Sequence, residues 1–245
     1  MAIDYTTLRD SSLDSLKNYM DSLGPDKGKK LAYWVNDYAR LLSLESSFQP
    51  EKMIRYKRGA VVKVHLGYRI GSEEGGLHYA GVLDRNNSIY SPTITVIPLT
   101  SVKPGVNLAN LPPHRVSIGN EVYTQLTNNL NSEIQTAKSE LNSLKKRLDS
   151  STESALSSEE EKRISDELKN VTSRIEYCRK MRTEADKMKI GSIALVGQIT
   201  TISKLRIYNP VYRNDALSRV RITPTTLDTL DVRIQELYGA PNSTR

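Results

Sequence analysis

Two heptad runs constrain this chain more than any other feature. Ile134, Ala137, Leu141, Leu144 and Leu148 step by 3, 4, 3 and 4 residues, and Ile164, Leu168, Val171, Ile175, Cys178 and Ala185 keep the same beat, with Arg182 in one core slot. Between them lies DSSTESALSSEEE, a polar, serine-rich link. Two amphipathic runs of similar length across a short polar link predict an antiparallel helical hairpin. At 1.5 Å per residue, arms of about 28 residues would project roughly 40 Å. Neither run is long enough to assemble by itself, so each is expected to pair with the other.

Such a hairpin is not a whole fold, and what flanks it is different in kind. Upstream, GAVVKVHLG (59–67), LHYAGVLD (77–84), TITVIPL (93–99) and HRVSIG (114–119) read as strands, with Pro98 implying an edge or a bend. Downstream, SIALVGQITTI resumes the strand character. The closing helix is well signalled: Thr223 as cap, Pro224 in the first turn, Gly239 as stop, and Leu227, Leu230, Ile234 and Leu237 as its buried stripe. The first 50 residues predict two helices, about 4–20 and 30–46, broken by GPDKGKK. The expected division is therefore residues 1–50 as a helical extension, 51–120 with 191–245 as one β-rich domain, and 121–190 as an inserted hairpin. The class is α+β.

Charge sharpens this division. The net charge is +7 over 245 residues. Residues 50–120 carry +5 and 191–245 carry +3, while 121–190 balance 13 basic against 13 acidic side chains. A small β domain holding the whole excess favours a polyanion such as nucleic acid. The single cysteine, Cys178, forms no internal disulfide and sits on the heptad seam, as expected of core packing in a reducing compartment. No apolar run approaches the roughly 18 residues of a membrane span. The polar, acidic start is unlike a signal peptide, so the expected location is the cytoplasm. Three histidines and one cysteine make no metal signature, and no cofactor is expected.

The strand segments also resemble a known family. YKRGAVVKVHLGYRIGSEEGGLHYAGVLD is similar to the opening of the MazF/PemK toxins, in which a basic residue, a glycine and a first strand lead into a Gly-Ser-Glu-Gln-Gly-Gly loop and a second strand. YSPTITVIPLTS (90–101), LPPHRVSIG (111–119) and GSIALVGQITTISKLRI (191–207) resemble three further family segments, in the expected order. The resemblance implies a small SH3-like β-barrel of MazF/PemK/CcdB type with a C-terminal helix. It also implies a homodimer, metal-independent cleavage of single-stranded RNA (mRNA), and a cognate antitoxin. The family's catalytic threonine falls on Thr100. Its catalytic arginine falls on His78, within a His78-Tyr79 pair that replaces Arg-Pro, and His65 stands where many members carry an aspartate.

Cleavage at a 2′-hydroxyl needs a base, an acid for the departing 5′-oxygen, and donors for the phosphorane charge. An imidazole, with an ordinary pKa near 6.5, suits proton transfer at neutral pH better than a guanidinium. His78 is therefore the expected acid–base group and Thr100 a phosphate donor. Ser72, Ser101 and the amides of Gly75 and Gly76 are expected at phosphate, with Arg69 and Arg85 for charge and Tyr79 for base stacking. Each residue also has a bland reading: a histidine at a strand start, a threonine at a strand end, and Glu73 and Glu74 as loop-shaping partners of arginine. The competing function is a non-catalytic binding module of the same fold, topoisomerase-poison-like or regulatory. A weaker third option is an assembly scaffold built on the hairpin.

Overall fold

The computed structural model describes residues 4–151 and 157–239, excepting the side chains of 150 and 151. The middle of the serine-rich link, 152–156, lies outside the described residues. The chain divides into two units, Met1–Phe48 with Leu66–Gly76, and Gln49–His65 with Leu77–Arg245.

In the first unit, α1 (Tyr5–Ser22) is capped by Asp4, whose carboxylate accepts from the Thr7 amide at 3.2 Å. Helix α2 (Gly24–Leu44) starts earlier than the GPDKGKK break implied. Pro25 falls in its first turn, where a missing N–H leaves no bond unmade. Gly28 explains how closely the two helices approach: a Cβ there would stand 2.5 Å from the Met20 carbonyl oxygen. Trp34 and Tyr38 stack with ring centroids 5.6 Å apart.

The second unit holds one antiparallel sheet of seven strands: β1 (Val61–His65), β2 (Leu77–Val82), β3 (Thr93–Ser101), β4 (Arg115–Gly119), β5 (Ser192–Leu195), β6 (Thr200–Ser203) and β7 (Ile207–Asn209). The order is β4-β5-β3-β2-β1-β7, with β6 also on β3. Strand β3 is central. One side pairs with β2, while the other is shared between β6, at Thr93–Val96, and β5, at Leu99–Ser101. Pro98 therefore lies inside the sheet, paired with Ala80, and not on an edge strand. It falls in the gap between β6 and β5, where the chain makes a 3₁₀ turn at Val196–Gln198, so on that side no strand partner asks for its missing N–H. Strand β7, of three residues, is too short to show a period in the sequence.

Helices α3 (Glu121–Ser151) and α4 (Ser158–Lys187) form the hairpin arms, and α5 (Pro224–Tyr238) closes the chain. Ser157 and Glu160 cap α4 reciprocally. Ion pairs set the interhelical register: Arg174 holds Glu140 through two bonds of 3.0 Å and also bonds Glu133, and Arg147 holds Glu167 at 2.7 and 2.8 Å.

The hairpin base belongs to the main core. Val122, Leu126 and Leu130 of α3 and Tyr177, Met181 and Ala185 of α4 are buried in one cluster with Val61, Ile97, Leu99, Ala194, Leu217 and Leu230. This changes the expected seam. On α4 the fully buried residue is Met181 and not the Arg182 slot, which is exposed, while Leu141, Leu148 and Leu168 are about 40–44% exposed. A heptad rule assumes a single partner helix. Here the base of α4 has two, α3 and the sheet, and its buried face rotates toward both. Helix α5 is tied to α3 at their N-termini. Thr223 accepts from the Thr226 amide at 3.4 Å and donates to Glu121 at 2.8 Å.

Candidate active site

Antiparallel register builds the site. Strand β2 pairs Ala80 with Pro98 and Tyr79 with Leu99. One step further along this ladder, His78 falls opposite Thr100. Strand alternation places both on the face away from Tyr79 and Leu99. On the other side of β3, Thr100 pairs with Ile193 and Ser101 with Ser192. Residues just before β5 must therefore land beside the end of β3. They are the last residues of the hairpin, Lys187 to Lys189.

The result is a cleft of about 190 Å³ at the strand ends, lined among others by His78, Thr100, Ser101, Lys187, Lys189 and Ser192. His78 is half-buried, with Nδ1 3.4 Å from the Leu99 carbonyl oxygen. If Nδ1 carries the proton toward that carbonyl, Nε2 is the basic nitrogen. Lys187 and Lys189 are exposed, and neither is ion-paired among the described residues. Sequence reasoning missed both lysines. The zero net charge of the hairpin averaged them away, although the MKIG junction after α4 was the visible signal.

Tyr79 lines the same cleft but is anchored inward. Its hydroxyl donates to Glu184 at 2.5 Å, and Lys63 meets the same carboxylate oxygen at 2.6 Å and stands 5.3 Å from the Tyr79 ring centroid. Glu184 is 8% exposed. Loss of water around the phenol, then the bond to Glu184 and its charge, push the Tyr79 ionisation far above the usual phenol range. This trio links the hairpin to the sheet at the β2 residue next to His78.

Arg85 is not brought to the cleft. It lies beyond the other end of β2, seven residues from His78 and so about 20 Å away along an extended strand. There it faces Asp231 at 3.8 Å, and the same carboxylate also bonds Arg58. Arg69, Ser72, Gly75 and Gly76 belong to the unit that contains α1 and α2. Within it their loop is a closed turn: the Leu66 amide donates to the Gly76 carbonyl at 2.7 Å and the Gly76 amide to the Gly67 carbonyl at 2.8 Å. Arg69 Nε donates to the Leu66 carbonyl at 2.9 Å, and its guanidinium lies 3.8 Å from Glu73, the loop-shaping pairing expected of that carboxylate. A Cβ at Gly75 would stand 2.8 Å from the Gly67 carbonyl oxygen, so glycine there serves the turn's closure.

The other histidines have structural settings. The His65 ring lies 6.3 Å from that of Tyr208, and His114 packs where a Cβ on Gly197 would be 3.1 Å away. Among the described residues, no group of three or more His, Cys, Asp or Glu side chains is placed to hold a metal ion. Among the described residues, no helix is long and apolar enough to cross a membrane.

A comparison with curated proteins finds no match. A comparison with family models does find one, over residues 57–172, from the approach to β1 through β4 and α3 into α4. The returning segment with β5–β7 and α5 lies outside the matched residues, yet it completes the same sheet. Members of the matched family are endoribonucleases. Residues 57–172 match the model of the PemK-like, MazF-like toxins of type II toxin–antitoxin systems.

Proposed function

We propose that the chain is a toxin-type endoribonuclease that cuts single-stranded RNA at short sequences without a metal, and that the cleft at the strand ends is its active site. One observation carries the reading: His78, Thr100, Ser101 and the exposed Lys187 and Lys189 line the same cleft.

The chemistry follows from the groups present. His78 accepts the proton of a ribose 2′-hydroxyl, and the 2′-oxygen attacks the adjacent phosphorus. Thr100 and Ser101 donate hydrogen bonds to the non-bridging oxygens as negative charge builds. Lys187 and Lys189 hold the phosphates, and the departing 5′-oxygen takes a proton from solvent as its bond to phosphorus breaks. The products are a 2′,3′-cyclic phosphate and a 5′-hydroxyl. General acid–base help of this kind is worth roughly 10²–10⁴-fold. Tyr79, held by Glu184, acts as a rigid wall beside the reacting group instead of a mobile stacking platform. Ser72, Gly75, Gly76 and Arg69 serve as RNA-binding residues of the β1–β2 loop. The working form is a homodimer in the cytoplasm, neutralised by an antitoxin.

The test is incubation of the purified chain with a diverse pool of unstructured transcripts in EDTA, with the new ends mapped. Recurrent cuts at a short motif, with cyclic-phosphate ends, support the reading. An intact pool overturns it in favour of the non-catalytic binding module.

A further inference from the structure

The two long sides of the hairpin differ. One is sealed by charge, with Glu133 and Glu140 gripping Arg174, and Arg219 reaching Glu133 at 2.8 Å. The other is open. On α3 the apolar residues fall into two rows of sevenfold spacing: Leu130, Ala137 and Leu144 are buried, whereas Ile134, Leu141 and Leu148 are not. On α4, Val171 and Ala185 are buried, and Leu168 and Ile175 are left outside the core in the same way. The two rows of each arm are the alternating positions of one heptad seam, yet the partner arm buries only one of them and leaves the other uncovered.

The open rows of the two arms meet in a groove of about 430 Å³, walled by Ile134, Leu141, Ile175 and Cys178. Its rim is cationic: Lys138, Arg179 and Arg182. Lys138 and Arg182 are in no ion pair among the described residues, and Arg179 reaches only the exposed Glu176 at 3.4 Å. From Leu130 to Leu141 the groove runs three helical turns, about 17 Å.

We propose that this groove is a docking site for an amphipathic helix of a partner protein, with leucine-like residues at heptad spacing flanked by carboxylates. Shape asks for a helix, because two parallel ridges of sevenfold period leave a furrow that a third helix fills. Charge chooses its character, because the rim offers three cations and one carboxylate. A second copy of this chain is the poorer occupant, since a twofold contact through the groove would bring like cations together. The inference stands independently of RNA cleavage.

The test uses two fluorescent synthetic helices of about 20 residues, long enough to hold helical structure, with identical leucine spacing and either glutamate or lysine at the flanking positions. Binding to the full chain is followed by anisotropy and by protection of Cys178, the only cysteine, from a maleimide. The glutamate peptide is expected to bind and to slow labelling of Cys178. Its affinity is expected to fall at least tenfold in K138E/R182E, whose unchanged melting curve controls for folding. The proposal is overturned if neither peptide binds, if both bind equally, or if light scattering finds a dimer that Leu141→Glu converts to monomer.

Discussion

The two ends of strand β2 carry similar charge to opposite effect. At one end, His78 opens onto a cleft with Thr100, Ser101, Lys187 and Lys189, and the lysines have no carboxylate partner among the described residues. At the other, Arg58 and Arg85 converge on Asp231, Arg58 also bonds the Leu83 carbonyl, and Lys204, 1% exposed, donates to the Ser88 carbonyl at 2.9 Å. Cations at the far end serve the fold, while the lysines at the near end stand exposed in the cleft. Net charge by segment does not separate these cases, because it counts a neutralised guanidinium and an unpaired ammonium alike.

The comparison breaks most readily through the substrate. Replacing the ribose at a mapped cut with 2′-deoxyribose removes the nucleophile, and cleavage there should stop while binding changes little. Cleavage that persists would place the chemistry elsewhere. A second large effect concerns the wall beside His78. Glu184→Ala leaves Lys63 and the Tyr79 hydroxyl without their shared partner and is expected to destabilise the fold by about 3 kcal/mol, the scale for breaking a buried pair. Denaturant unfolding reads this directly, and a midpoint unchanged from wild type would show that the trio carries little.

Smaller effects sharpen the contrast. K187Q/K189Q should raise KM about tenfold and lower the salt slope of RNA binding by about 1.4, two contacts at roughly 0.7 each for a single strand. Arg85→Ala should change KM by less than about twofold, because its charge is already engaged at Asp231. Equal effects of the two would erase the distinction between the ends. The least effect is a matter of pH. Tyr79 ionises at higher pH in the folded chain than when unfolded, so its contribution to stability is complete below about pH 10, the unfolded phenol value. The contribution is lost as pH rises from there, and Tyr79→Phe should flatten that alkaline decline.

How much of this was legible in the sequence depended on how local its cause was. The α5 cap at Thr223, the hairpin and most strands follow from periodicity and turn chemistry within a few residues. Pro98 misled because a central strand with two partners on one side has an internal gap, which a window of sequence does not reveal. The α4 seam misled because its burial is decided by the sheet as well as by α3. His78 and Thr100 were legible through the family resemblance, and the register explains why they meet. Lys187, Lys189 and Glu184 were not legible, because their place beside β2 depends on a strand pairing that spans the whole hairpin. Arg85 looked like a phosphate ligand because Asp231, its partner, is far away in sequence.

The most direct test of the central claim is single-turnover cleavage of an oligonucleotide carrying one mapped site, in EDTA, by wild type and by His78→Ala. The account predicts a rate lower by about 10²–10⁴-fold in the variant, with RNA affinity and melting temperature little changed. Equal rates in the two proteins would contradict it and remove His78 from the chemistry.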